Sequence, residues 1–160
     1  MQNNYGGFVR LLMYNHSRNI LTKKQELKDI FKMQNQDILS LVEYTKENIR
    51  LLGLELLGIE KNNLIDPLKS DKYFLRSKKE IYNYNNKLII IFVLILLEEG
   101  EISHDKLISQ YNEINKEYLN ILKRDNYIYI NKEDNDLVVG LGWKYYVEYG
   151  ETDILQLLEV

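Results

Sequence analysis

The sequence predicts a mostly helical α+β fold with small β-ribbons, arranged as two winged-helix modules in tandem. The main observation is an order of elements, three helices followed by a β-ribbon, that occurs twice along the chain. A second observation is length, because 160 residues suffice for two small domains. We therefore predict module A over residues 1–80 and module B over residues 81–160.

Module A begins with three predicted helices, each with apolar residues at helical spacing. The second helix follows Thr22, which fits a capping box together with Gln25. The third helix ends at Gly53, where a C-cap glycine is expected. The predicted buried stripes are Phe8, Leu11 and Leu12 in the first helix, Leu27, Ile30 and Phe31 in the second, and Ile38, Leu41, Val42, Thr45, Ile49 and Leu52 in the third.

Module A ends in a predicted β-ribbon. The segment Leu54–Glu60 is too short and too branched for a further helix, and Asp66-Pro67 marks a turn or loop. Lys72–Ser77 alternates in the manner of a strand. The polar residues 78–86 are expected to form a linker or an exposed helix.

Module B repeats the three helices. Lys87–Glu99 is predicted as a buried helix ended by Gly100, because its apolar run covers every face. Ser103 is the predicted N-cap of the second helix. The third helix is expected from about residue 115 to residue 125, with Tyr118, Leu119 and Leu122 at helical spacing.

Module B also repeats the ribbon. Tyr127–Ile130 and Leu137–Leu141 flank a segment rich in turn-forming residues, which predicts a hairpin. The remaining residues, Gly142–Val160, are expected to be helical, with a break at Gly150 and a restart capped by Thr152.

Composition excludes several kinds of site. The chain has no cysteine, which excludes disulfides and cysteine-ligated metal centres. Its two histidines, His16 and His104, lack metal-ligand spacing, and no catalytic triad or dinucleotide loop is readable. We expect no enzymatic activity, no cofactor, no metal and no small-molecule substrate. No signal peptide or membrane association is expected, since the longest apolar run, Leu88–Leu97, is shorter than the roughly 20 residues of a membrane helix.

The charge differs between the two halves of the chain. Residues 1–86 contain 14 basic and 10 acidic residues, a net charge of +4, whereas residues 87–160 contain 7 and 14, a net charge of −7. Two modules with different surfaces are indicated, and any phosphate contacts are expected mainly from the first half.

Four segments resemble, in order, the sequence of the MAGE homology domain family. Val9–Tyr14 resembles its opening helix, L-V-R-F-L-L-Y, and Leu21–Lys24 resembles its I-x-R-x-D helix start. Asn48–Ile59 resembles the family's L-x-x-x-F-G-L-E-L-V-E-V element. Leu88–Ser103 resembles its L-L-x-V-V-L-x-L-I-F-x-N-G-x-x-I-x stretch. The order and spacing of these segments carry the resemblance, because each motif alone is weak.

The resemblance covers nearly the whole chain. Leu141–Tyr145 falls where the family has L-G-P-R-A, but Trp143 replaces the proline and Tyr145 the alanine. Within the family the chain is most similar to the non-SMC element three subunits of the SMC five-six (structural maintenance of chromosomes) complex.

This resemblance implies a nuclear adaptor that binds a RING-finger ubiquitin ligase. The chromosomal branch also binds a kleisin subunit, bridges it to the SMC heads and contacts double-stranded DNA. The ligase-binding stretch of the family matches Leu11, Leu12 and Met13, and for the kleisin we predict Phe92, Tyr111 and Leu122. Ordinary core packing stays open as an alternative for all six residues.

Duplex DNA is expected to contact basic residues of module A. Lys24 and Lys28 share one helix face, as do Lys46 and Arg50 on the helix in the recognition position. Only five of the 21 basic residues are arginine, which favours weak, salt-sensitive phosphate contacts over base reading. The predicted DNA-binding residues are Lys23, Lys24, Lys28, Lys46, Arg50, Arg76, Lys78 and Lys79.

Two other functions stay open. A winged-helix transcriptional regulator usually dimerises and carries arginines on its recognition helix, but module B offers only Arg124 there, beside Asp125. A MAGE-type ubiquitin-ligase cofactor outside the SMC complex is compatible with the same sequence.

Overall fold

The computed structural model describes residues 2–77, 85–151 and 153–154. Contacts between residues divide the chain into two compact units, unit 1 over Met1–Ile81 and unit 2 over Tyr82–Val160. Most of the predicted linker and the predicted helix restart at Thr152 lie outside the described residues.

Unit 1 combines three helices with a four-stranded antiparallel sheet. The strands pair in the order β1-β4-β2-β3. Short 3-10 helices, Ile49–Leu52 and Pro67–Lys69, follow α3 and precede β4. In chain order the elements are α1 (Gln2–Ser17), β1 (Thr22–Lys23), α2 (Lys24–Phe31), α3 (Asn35–Asn48), β2 (Leu54–Glu60), β3 (Asn63–Ile65) and β4 (Lys72–Ser77).

The start of α2 differs from the predicted capping box. Thr22 lies in β1, where its hydroxyl accepts a 3.0 Å hydrogen bond from the Asn15 side chain. Lys23 is the N-cap, and its N–H donates to the Glu26 carboxylate at 2.6 Å. The predicted Thr22–Gln25 pair was wrong by one residue, because the Thr22 hydroxyl is bonded to Asn15 and the box is formed by Lys23 and Glu26.

The core of unit 1 confirms most of the predicted helix stripes. Two predicted positions were wrong, since Ile30 is 56% exposed and Leu52 is 63% exposed. Leu52 lies in the 3-10 helix after α3, whose three-residue turn takes it off the buried face. Gly53 has φ +71 and ends this segment as predicted. The buried cluster comprises Phe8, Leu12, Leu27, Ile38, Leu41, Val42, Ile49, Leu56, Tyr73 and Leu75.

Unit 2 repeats the order of elements and the strand pairing found in the winged-helix part of unit 1. Its three strands pair in the order β5-β7-β6, which matches β1-β4-β2, so each unit has the winged-helix order of helix, strand, two helices and hairpin. The predicted tandem arrangement is therefore present. The elements are α4 (Asn86–Leu97), β5 (Glu101–Ser103), α5 (His104–Gln110), α6 (Lys116–Arg124), β6 (Ile128–Glu133), β7 (Asp136–Leu141) and α7 (Trp143–Tyr149).

Helix α4 supplies much of the core of unit 2. Its middle residues are buried, but Leu96 and Leu97 at its C-terminal end are 41% and 67% exposed, so the helix is not buried on every face along its whole length. Ser103 occupies the predicted N-cap of α5 without a side-chain cap bond, whereas Asn115 caps α6 by accepting from the Tyr118 N–H at 2.8 Å. None of the described helices is long and apolar enough to cross a membrane.

Candidate interaction surfaces

A basic surface lies where α2 meets the first strand pair of unit 1. Lys23 is the last residue of β1 and lies directly opposite Lys72 on β4. Lys24 and Lys28, one helical turn apart on α2, line the same surface depression. We call this surface, comprising Lys23, Lys24, Lys28 and Lys72, the α2 patch.

Acidic residues near the α2 patch are engaged in local bonds. Glu26 accepts from the Lys23 N–H at 2.6 Å, and Asp29 accepts from the Gln25 amide at 2.8 Å. Asp71 lies 3.5 Å from the Lys24 ammonium. Among the described residues, Lys23, Lys28 and Lys72 have no ion-pair partner. Four lysines against these three carboxylates leave a formal charge of +1 on and around the patch.

The two basic residues predicted on α3 differ from those of the α2 patch, because one is ion-paired and the other lies beyond the helix. The Lys46 ammonium lies 3.1 Å and 3.2 Å from the two carboxylate oxygens of Asp66. The N–H of Leu68, and then Lys46, lower the pKa of Asp66, which keeps that carboxylate charged. Arg50 is exposed in the 3-10 helix beyond α3 rather than on α3 itself.

The remaining predicted DNA-binding residues lie on or after β4. Arg76 is largely buried and donates to Glu55, its cross-strand neighbour on β2, at 2.7 Å. An arginine held in this way has less of its charge available for a phosphate. Lys78 and Lys79 lie outside the described residues.

The predicted ligase-binding stretch on α1 spans three degrees of burial. Leu12 is 1% exposed and belongs to the core, Leu11 is half-buried against that core, and Met13 is 50% exposed. Leu11 and Met13 are accessible to a partner, while Leu12 fixes the helix in place from below.

The predicted kleisin-binding residues lie mainly in the core of unit 2. Phe92 is fully buried, with its ring centroid 4.7 Å from that of Tyr145, and Leu122 is 4% exposed. Tyr111 is half-buried, and its hydroxyl donates to Glu113 at 3.3 Å. Of the three residues, Tyr111 alone offers side-chain surface to a partner.

Some surface features were not predicted from the sequence. Lys72 was assigned only to a strand, because β1 has two residues and gives no periodic signal, so its pairing with Lys23 was not readable. Leu51 is 85% exposed beside the exposed Leu52. Helical spacing predicted Leu52 to be buried and made no prediction for Leu51. The sequence signal for this exposed pair is its position directly before Gly53, where the helical segment ends.

The described residues contain no group of three or more histidine, aspartate or glutamate side chains arranged to hold a metal ion. His104 is buried, and its Nδ1 lies 3.3 Å from the Asp105 carboxylate at the start of α5. Both residues belong to the first turn of α5, so their contact is local to one helix end.

Comparison with known proteins identifies the fold. The sequence matches no family model and no curated protein. A solved structure described as "Nse1-Nse3-Nse4 complex" matches with a TM-score of 0.73 and 14% sequence identity, covering 99% of this chain and 88% of that chain. This chain therefore has the same fold as the matched chain of that structure, and the predicted fold class is confirmed.

Proposed function

We propose that this chain is a non-catalytic scaffold subunit of a nuclear SMC five-six type complex. In this role it binds a RING-finger ubiquitin ligase and a kleisin, connects them indirectly to the SMC heads, and contacts duplex DNA without reading its sequence. The observation that supports this most is the likeness, over 99% of the chain, to a structure described as "Nse1-Nse3-Nse4 complex". The MAGE-like segments of the sequence support the same assignment independently.

The ligase contact is proposed at the exposed side of α1. Met13 is 50% exposed and Tyr14 57% exposed, with Leu11 half-buried beside them. Adjacent apolar side chains at the surface lose unfavourable contact with water when a partner covers them. Buried Leu12 anchors the helix to the core, so its role is to position this surface.

The kleisin contact is proposed on unit 2, around Tyr111. This ring packs against the core while its hydroxyl reaches Glu113, the amphipathic arrangement common at protein interfaces. Phe92 and Leu122 support this region from the core rather than touching the partner.

Affinity purification of the tagged chain from its own cells, followed by mass spectrometry, tests this function. Recovery of a RING-finger protein, a kleisin and SMC subunits is the expected result. A RING-finger protein alone would instead identify a ligase cofactor outside the complex. Transcription proteins with neither partner would identify a regulator and contradict the proposal.

A pair of substitutions sharpens this test. Met13→Asp is expected to remove the RING-finger protein from the purified material, because it places a charge in the proposed apolar contact. Leu137→Asp is the matched control, since Leu137 is 45% exposed on the hairpin of unit 2 and outside both proposed contacts. Loss of the ligase with both variants, or with neither, would contradict the assignment to α1.

A further inference from the structure

We propose that unit 1 holds duplex DNA through the α2 patch rather than through α3. Winged-helix proteins that read a sequence place the helix equivalent to α3 in the major groove. This inference rests on the DNA contact in the proposed function and specifies the face that makes it. It also adds Lys72, a residue that the sequence did not single out.

Charge distribution disfavours α3 as the contact. Along Asn35–Asn48 the helix carries Asp37, Glu43 and Glu47 against one lysine, Lys46, a formal charge of −2. The three acids are exposed, while Lys46 is held by Asp66. A helix of this composition repels the phosphates on either side of the groove that it would enter.

The depression at the α2 patch has the opposite character. Its lining residues are four lysines, one aspartate and one glutamine, which gives a formal charge of +3. Because Lys24 already faces Asp71, the unpaired charge belongs mainly to Lys23, Lys28 and Lys72. These three residues come from two strands and one helix, so the fold rather than the local sequence brings them together.

Within the patch, Lys23 and Lys72 repel each other unless an anion lies between them. Lys23 and Lys72 are direct cross-strand neighbours, both exposed, and like charges in such a register repel each other. A phosphate group between them would replace this repulsion with two attractive contacts. The rotatable ammonium groups of lysine suit phosphate oxygens as point charges, without the directional fork of an arginine.

The contact made this way is independent of base sequence. Lysines of the α2 patch would bind phosphates and leave the base edges unread, so affinity should depend on salt and hardly on sequence. Each phosphate contact contributes about 0.9 to the slope of log affinity against log salt.

Two triple variants of the full-length protein test this placement. Lys23→Glu with Lys28→Glu and Lys72→Glu reverses the patch. Arg10→Glu with Arg18→Glu and Lys61→Glu makes the same change in net charge at exposed sites of unit 1 outside the predicted DNA-binding residues. Binding is measured by fluorescence anisotropy with a labelled duplex of unrelated sequence across a salt series, and circular dichroism checks the fold.

The patch variant is expected to bind at least about tenfold more weakly, while the control changes by less than about threefold. Its salt slope should fall by about 1.8, for one phosphate shared by Lys23 and Lys72 and one at Lys28. If a glutamate variant loses its fold, the same two triples are made with glutamine in place of glutamate. An equal or larger loss in the control would overturn the α2 patch while leaving DNA binding intact. Absence of any duplex binding by the unaltered chain at low salt would overturn both, and recovery of ligase and kleisin would still test the scaffold function separately.

Discussion

Unit 1 and unit 2 share the order helix, strand, helix, helix and ribbon, and the strand order β1-β4-β2 of unit 1 matches β5-β7-β6 of unit 2, yet the two units differ in charge. Residues 1–86 carry +4 and residues 87–160 carry −7. The hairpin of unit 2 turns through Glu133, Asp134 and Asp136, whereas α2 of unit 1 begins beside four lysines. A common fold therefore does not imply a common ligand, and on charge and exposure we propose that the first unit contacts DNA and the second contacts the kleisin.

The two cores also differ in their aromatic content. In unit 1 the ring of Phe8 on α1 lies edge-on to Tyr73 with centroids 6.0 Å apart. In unit 2 the ring of Phe92 on α4 lies 4.7 Å from Tyr145 and 5.3 Å from Tyr149. Among the described residues Phe8 thus has one ring neighbour, whereas Phe92 has three, the third being Tyr127 at 6.1 Å.

The largest expected effect comes from truncating these two rings. Phe8→Ala and Phe92→Ala should each lower the free energy of unfolding by about 3–5 kcal/mol, because both side chains are fully buried. Phe92→Ala should cost more, by about 1 kcal/mol, since it loses more ring contacts. Denaturant unfolding measures both, with Leu97→Ala as the exposed control on α4. A larger cost for Phe8→Ala would contradict this ranking of the two cores.

Two glycines give opposite expectations for the same substitution. A Cβ at Gly142 in unit 2 would collide with the backbone carbonyl of Asn126, so Gly142→Ala should destabilise by about 1–3 kcal/mol. Gly6 lies in α1 with open space around it, so Gly6→Ala should stabilise by about 0.5–1 kcal/mol. Thermal unfolding distinguishes the two directions, and a stabilising Gly142→Ala would show that the close approach is absent.

Removing a tyrosine hydroxyl should have the smallest effect and opposite signs in the two units. The hydroxyl of Tyr127 donates to Glu148 at 2.7 Å, so Tyr127→Phe should cost about 1.5 kcal/mol. The buried hydroxyl of Tyr73 has no partner among the described residues, so Tyr73→Phe should be neutral or stabilising by up to about 1 kcal/mol. Denaturant midpoints at pH 7 measure both changes, and a clear loss in Tyr73→Phe would reveal a partner for that hydroxyl.

The same tyrosine predicts a pH dependence. Burial, followed by the nearby Asp71 charge, raises the pKa of Tyr73 from 10.0 to about 12. Because the folded state holds the proton more tightly, this group's contribution to stability is present below pH 10 and is lost as the pH rises towards 12. Between pH 10 and pH 12 the free energy of unfolding of Tyr73→Phe should therefore fall less steeply than that of the unaltered chain, as measured by denaturant unfolding across this range. An equal slope in both proteins would contradict a raised pKa of Tyr73.

Most of the fold was predictable because the helices are long enough to show their spacing. The segments Leu54–Glu60 and Lys72–Ser77 were recognised as strands, and Gly53 was placed correctly at the end of its helical segment. The strands β1, β3 and β5 were missed, since two or three residues carry no detectable alternation. Their pairing depends on distant partners, which local sequence does not show.

The candidate site was less predictable, because exposure and pairing depend on contacts between distant residues. Lys46 and Asp66 are twenty residues apart, so their ion pair was not readable from either helix or loop. Ile30 has correct helical spacing but is exposed, because the eight-residue α2 buries only a narrow stripe. The α2 patch depends on a register between β1 and β4 that only the fold supplies.

Cross-linking mass spectrometry of the purified assembly with bound duplex tests the division between the two units most directly. We expect DNA cross-links on peptides containing Lys23, Lys28 or Lys72, and kleisin cross-links on unit 2. DNA cross-links concentrated on the basic residues of α6, Lys116, Lys123 and Arg124, or kleisin cross-links confined to unit 1, would contradict it.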